Sequence, residues 1–181
     1  MAARKARKLR TASGARAAGK ARVKARAASK ASACVALDIR IESDLWKQKR
    51  DIQEKARRAI TKAANAAARP MCELAVLLTD DSSMRVINAD WRGVDAPTNV
   101  LSFPAPQSEG EFLGDIVLAF ESIAAEATAE GKPFAHHFAH LCVHGFLHLL
   151  GYDHVRKKDA DVMVAAERDV LRRLRIPDPY G

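Results

Sequence analysis

Pro133–His154 reads PFAHHFAHLCVHGFLHLLGYDH, and it holds all six histidines of the chain. Pro133 suits the first position of a helix and Gly151 suits its end. On that helix, with His144 at zero, His148 lies about +40° round the axis, His140 about −40° and His137 about +20°. Four imidazoles therefore share one face, flanked by Leu141 and Leu147, with Cys142 nearly opposite. A lone helical histidine is ordinarily a core or surface residue. Four on one face point to a shared task.

That task reads as metal binding. Histidines at i and i+4 lie about 6 Å apart along the axis and can converge on one Zn2+ at about 2.0–2.1 Å. Gly151 can take the left-handed conformation that turns the chain back, so that His154 reaches the same ion. Ligands His144, His148 and His154 leave a fourth position open, as a catalytic zinc requires. Zinc lowers the pKa of bound water to about 7. The spacing matches the HExxHxxGxxH metalloproteases, which carry a glutamate base directly after the first histidine. Here that residue is Gly145, which cannot take a proton. Activation then falls to the metal, to His140 or to a carboxylate outside this helix.

Outward from this helix, the chain alternates strands and helices. Val35–Ile41 alternates apolar and polar from Leu37 onward, as a half-buried strand does. Residues 45–67 carry Trp46, Ile52, Ala56, Ile60 and Ala63 in an amphipathic helical pattern, with Pro70 beyond its end. Cys72–Leu78 reads as a buried strand. Asp80–Ser83 offers helix caps before a short helix over Met84–Trp91. Residues 92–99 form a loop, and Val100–Phe103 and Gly114–Ala119 form strands. Glu121–Glu130 is helical up to Gly131, and a last helix spans roughly residues 157–175. The order β-α-β-α-β-β-α-α-α predicts an α+β fold, one small sheet with helices packed on it.

Charge divides the chain in two. Residues 1–37 hold eleven Lys or Arg and no acid, whereas the remainder is net −3 out of a total of +8. Residues 1–33, rich in Ala, Lys and Arg, lack large apolar periodicity and are expected to be a disordered basic extension. They read as a solvated tail, as an arm docking on nucleic-acid phosphates, or as an Arg-rich organellar transit peptide. Residues 34–181 make the folded domain. No stretch has the length of apolar sequence that spans a membrane. Cys34, Cys72 and Cys142 are odd in number, and no two stand at CxxC spacing. That fits a reducing compartment, the cytoplasm, with no disulfide framework.

A second polar cluster comprises Asn88, Arg92, Asp95, Thr98, Asn99 and Ser102. Arg92 could grip a phosphate in bidentate fashion and stabilise charge developing at phosphorus. Equally, Arg92 reads as a surface residue, with Thr98 and Asn99 as turn chemistry before a strand. Asp115 reads either as a turn residue or as a carboxylate backing a metal-bound imidazole.

His144–His154, HGFLHLLGYDH, resembles the HGxLHLxGYDH motif of the YbeY-type endoribonucleases, the bacterial rRNA maturation factors. Asn88–Phe103 resembles that family's second motif and Leu113–Ile116 a third. Gly131-Lys132-Pro133 also fits, and the likeness spans roughly residues 35–175. The resemblance implies a single-strand-specific, metal-dependent endoribonuclease. Such an enzyme matures the 3′ end of small-subunit rRNA and serves ribosome quality control. It implies one zinc per chain on His144, His148 and His154, and an essential Arg92. It also implies a mixed sheet of about four strands beneath a central zinc-bearing helix, with about five helices in all. Arg92 and His140 are then the candidate catalytic residues, and Arg92, Thr98, Asn99 and Ser102 would hold the substrate. The expected partners are single-stranded RNA and the small ribosomal subunit, and no membrane. Water and the RNA 2′-hydroxyl both fit as the attacking group. Two other readings share the cage: a zinc peptidase or amidohydrolase, which Gly145 opposes, and a non-enzymatic ribosome-associated zinc protein.

Overall fold

A computed structural model describes residues 34–69, 71–106 and 110–181. The expected basic extension and Pro70 lie outside the described residues. Four strands build one mixed sheet: β1 (Cys34–Ile41), β2 (Met71–Thr79), β3 (Val100–Pro104) and β4 (Phe112–Ala119). Their order is β1-β2-β4-β3. β2 pairs parallel with both β1 and β4, while β3 runs antiparallel along β4 as an edge strand. Five α-helices accompany them among the described residues: α1 (Ile52–Ala66), α2 (Asp81–Arg92), α3 (Phe120–Ala129), α4 (Phe134–Leu149) and α5 (Lys157–Leu174).

The alternation of β4 explains the layering. Ile116 and Leu118 join the main core with Leu74, Val76 and Leu78 of β2 and with apolar residues of α1, α4 and α5. Val117 and Ala119 face the other way, to a smaller cluster with Met84 and Leu101 under α2. Helix α4 is central. Phe138, Leu141, Cys142, Val143, Phe146 and Leu147 are buried, and it packs against α1, α3, α5, β3 and β4. An α+β fold with the histidine helix at its centre is therefore what forms.

Two local expectations change. Residues 45–67 are not one helix: Asp44–Gln48 form a 3₁₀ turn, and α1 begins at Ile52 after Asp51 takes a left-handed conformation at φ 56°. A continuous helix would place Trp46 about 120° round the axis from Ile52. The break lets Trp46 bury fully, donate from Nε1 to the Thr79 carbonyl at 2.8 Å and meet Phe120, Phe134 and Phe138 edge-on or tilted. Pro133 caps α4 rather than opening it, its carbonyl accepting from the His136 and His137 N–H groups. No helix among the described residues is long and apolar enough to cross a membrane.

Candidate metal centre and its cleft

His144 and His148 project from successive turns of α4, their Nε2 atoms 3.1 Å apart. Helix α4 ends at Leu149, and two residues on, Gly151 takes a left-handed φ of 87°. The Gly151 N–H donates to the His148 carbonyl at 2.9 Å and the Tyr152 N–H to that of Leu147 at 3.1 Å, a paired closure that only a left-handed residue permits. The chain reverses, and Asp153 Oδ1 fixes the turn by accepting the His154 and Val155 N–H groups at 2.7 and 3.3 Å. His154 is thereby delivered to the other two imidazoles. One ring nitrogen from each of the three lies within 4.8 Å of the others, so that they could hold a metal ion.

The donor set suits zinc. A tetrahedral site with bonds of about 2.0–2.1 Å needs neighbouring donors roughly 3.3 Å apart, close to the His144–His148 separation. Burial, then the proximity of His144 and His154, lowers the His148 pKa. That favours the neutral imidazole a metal requires. His154 is exposed while the other two are half-buried, so the cluster opens to solvent on one side.

Behind the cluster stands Glu167, on α5 and only 1% exposed. Its Oε1 accepts from His144 Nδ1 at 2.7 Å. Its Oε2 accepts from the Tyr180 hydroxyl and lies 3.6 Å from His140 Nε2. Burial opposes the charge, but the hydrogen bonds from His144 and Tyr180, with His140 close by, outweigh it and hold the carboxyl down at about 2. With Nδ1–H given to Glu167, His144 keeps its Nε2 lone pair for the cluster. Sequence reasoning missed Glu167. The signal was an acid on the apolar stripe Met163, Val170, Leu171, Leu174 of the last helix.

In front lies a cleft of ≈ 190 Å³, lined by the three histidines with Arg92, Thr98, Asn99, Val100 and Ser102. Four residues singled out from sequence for substrate contact thus line the same cleft as the three histidines. Arg92 closes the last turn of α2 before Gly93 (φ 70°), and no acid pairs with it among the described residues. Asn88, buried, pins the loop by donating from Nδ2 to the Ala96 carbonyl at 2.8 Å. An exposed Arg85–Asp95 pair at 2.6 and 2.7 Å braces it outside. Asn99 is fully committed in orientation: Nδ2 donates to both oxygens of Glu126 at 3.0 and 2.8 Å, and Oδ1 accepts the Val100 N–H at 2.6 Å. Glu126 in turn meets His137 Nε2 at 2.7 Å. His137 therefore serves the cleft wall rather than the metal cluster.

Ser102 donates to the Gly145 carbonyl at 3.2 Å. A Cβ at Gly145 would come within 3.0 Å of Ile116 Cγ2 and 3.1 Å of Ser102 Oγ. The helix thus lies close on the sheet where a protease would carry its glutamate, and a side chain there would have to displace Ile116 and Ser102.

His140 is not among the residues lining the cleft; its Nε2 lies 3.3 Å from the Tyr180 hydroxyl and 3.6 Å from Glu167 Oε2, behind the cluster. Asp115 shares its face of β4 with Val117 and Ala119, whereas Ile116, opposite Ser102, faces α4. Glu167 is the carboxylate that meets the His144 imidazole.

Residues 38–175 match the family model described as Endoribonuclease YbeY. Relatives bearing that name include one from Bradyrhizobium diazoefficiens, 47% identical over 154 residues, which cover 80% of this chain and 84% of the relative. Another, from a strain of Rhodopseudomonas palustris, is 50% identical over 152 residues, 80% of each chain. The solution structure of TM1509 from Thermotoga maritima aligns over 77% of this chain and 91% of its own, at 24% identity and a TM-score of 0.50, a likeness of fold.

Proposed function

The chain belongs to the YbeY endoribonuclease family, and on that premise we propose that it cuts single-stranded RNA at a phosphodiester seated in the cleft between Arg92 and the three histidines. The observation that carries this reading is the cleft lining, which among the described residues holds one guanidinium with no acid paired to it, hydroxyls and imidazoles, and no carboxylate. Such a lining receives an anion. A peptide substrate would instead call for an acid beside His144, where Gly145 is packed against Ile116 and Ser102.

His144, His148 and His154 would hold the ion, and zinc is the metal their donor set favours. When bound, it supplies Lewis acidity toward the phosphodiester. Arg92 grips the non-bridging oxygens and offsets charge that builds on them. Thr98 and Ser102 offer hydroxyls along the same wall, and Asn99, clamped by Glu126, keeps that wall rigid. Glu167 holds the His144 ring in register from behind. The substrate class is ribosomal RNA, with maturation of the small-subunit 3′ end and ribosome quality control as the setting and the cytoplasm as the place. The basic residues 1–33 dock on RNA phosphates.

The test is incubation of zinc-loaded protein with matched single- and double-stranded RNA. Cleavage confined to the single strand supports the reading. Turnover of a peptide library with no cut in either RNA overturns it.

A further inference from the structure

We propose that the terminal segment Asp178–Tyr180 is a strap on the metal centre, in which Tyr180 is a positioning residue acting through Glu167 on His144. The proposal rests on the metal reading above.

After α5 the chain turns at Arg175, left-handed at φ 62°, with the Ile176 N–H donating back to the Leu171 carbonyl at 3.0 Å. The tail then doubles back and is tied down at several points. Lys132 Nζ donates to the Pro179 carbonyl at 2.8 Å. Arg168 Nε meets Asp178 Oδ2 at 2.9 Å, and its guanidinium lies 5.4 Å from the centre of the Tyr180 ring. Asp178 Oδ1 accepts the Tyr180 N–H at 3.0 Å. These ties deliver one hydroxyl to one carboxylate.

The two oxygens of Glu167 are divided between the ligand and the strap: Oε1 takes His144 Nδ1–H, and Oε2 takes the Tyr180 hydroxyl. A carboxylate held at one oxygen still swings about its terminal bond; held at both, it presents a fixed acceptor to the imidazole. His140 sits between the two, 3.3 Å from the hydroxyl and 3.6 Å from Oε2, so the fourth imidazole of the stripe belongs to this relay. Tyr180 is 45% exposed. A ring that open contributes little to the core, so its geometry serves its hydroxyl rather than the packing. Removal of that hydroxyl alone is therefore a clean probe.

The experiment compares wild type, Tyr180→Phe, Glu167→Gln and the double variant, all as the full chain. Zinc affinity is read by competition with a chromogenic chelator. The imidazole 15N shifts of His144 are read by NMR on metal-free protein, and thermal stability serves as the control. Tyr180→Phe keeps the ring beneath Arg168 and loses only the hydroxyl. It is expected to bind zinc roughly three- to ten-fold more weakly, below the 10–100-fold typical of losing a direct partner, with shifted His144 nitrogens and a cooperative melt at a modestly lower Tm, since Glu167 Oε2 gives up one hydrogen bond. In the Glu167→Gln background the same change should add nothing, since Tyr180 acts through that carboxylate. Wild-type affinity and wild-type nitrogen shifts in Tyr180→Phe overturn the proposal, and so do losses that add fully in the double variant. A wild-type protein that takes up no zinc overturns the metal reading instead. The strap then stands or falls on the nitrogen shifts alone: a changed His144 signal in Tyr180→Phe supports it, and an unchanged one sinks it.

Discussion

Nδ1 of His144 lies 2.7 Å from Oε1 of Glu167, joining the histidine helix to the last helix through a carboxylate that is almost wholly buried. Glu167→Gln keeps the size of the side chain and loses the charged acceptor. Zinc affinity is expected to fall roughly 10- to 100-fold while the fold persists. Glu167→Leu also strips a partner from His140, His144 and Tyr180. Hydrogen bonds to a charged acceptor contribute about 1.5–3 kcal/mol each, so its Tm should fall below that of the glutamine variant. Chelator competition and thermal melting check both statements.

Gly145→Ala places a Cβ 3.0 Å from Ile116 Cγ2 and 3.1 Å from Ser102 Oγ. Both are side-chain ends and can give a little, so a loss of roughly 1–3 kcal/mol is expected, with Ser102 displaced from its bond to the Gly145 carbonyl. Gly145→Glu should be far less stable and should gain no peptide cleavage. A denaturant melt of each variant with a fluorogenic peptide assay tests this; a stable, peptide-cutting Gly145→Glu would refute the steric argument.

Arg92 is exposed and outside the buried core, so Arg92→Glu is expected to retain zinc and Tm while RNA cleavage falls about 100- to 1000-fold, the scale of losing one charge-stabilising donor. Arg92→Lys should recover only part of it, because an ammonium cannot make the bidentate contact. Single-turnover cleavage of a labelled RNA reads the rates. Undiminished cleavage by Arg92→Glu would remove the arginine from the chemistry.

Much of this site was legible because its signals are local. The stripe from His137 to His148 follows from helical periodicity, and the delivery of His154 follows from a glycine at the right offset. The segment from Arg92 to Ser102 reaches the same place because β3 pairs with β4 so that Ser102 lies opposite Ile116, against Gly145. What stayed hidden depends on tertiary placement. Glu167 comes from the last helix, well beyond His154, and only its position on an apolar stripe marks it. The face that Asp115 occupies is set by strand register, which a sequence does not print. His140 lies on the predicted face of α4, yet the packing of α5 and the tail turns it toward Glu167 and Tyr180. Trp46 escapes the helical pattern because it serves the aromatic cluster at the end of the sheet.

Residues 1–33 carry all eleven of the unbalanced cations. Their removal should flatten the salt dependence of RNA binding, by about 0.7 in the log–log slope for each single-strand phosphate that the segment neutralises. Cleavage of a short oligonucleotide at saturating concentration should be unaffected. Binding isotherms across a salt series measure the slope, and an unchanged slope would show that the segment does not engage the phosphates.

The most direct measurement is single-stranded RNA cleavage by wild type and His148→Ala, each assayed as purified, after chelation and after zinc is restored, with bound metal determined alongside. The account predicts about one zinc per wild-type chain, cleavage lost on chelation and regained with zinc, and neither metal nor cleavage in His148→Ala. Full cleavage by metal-free His148→Ala would contradict it.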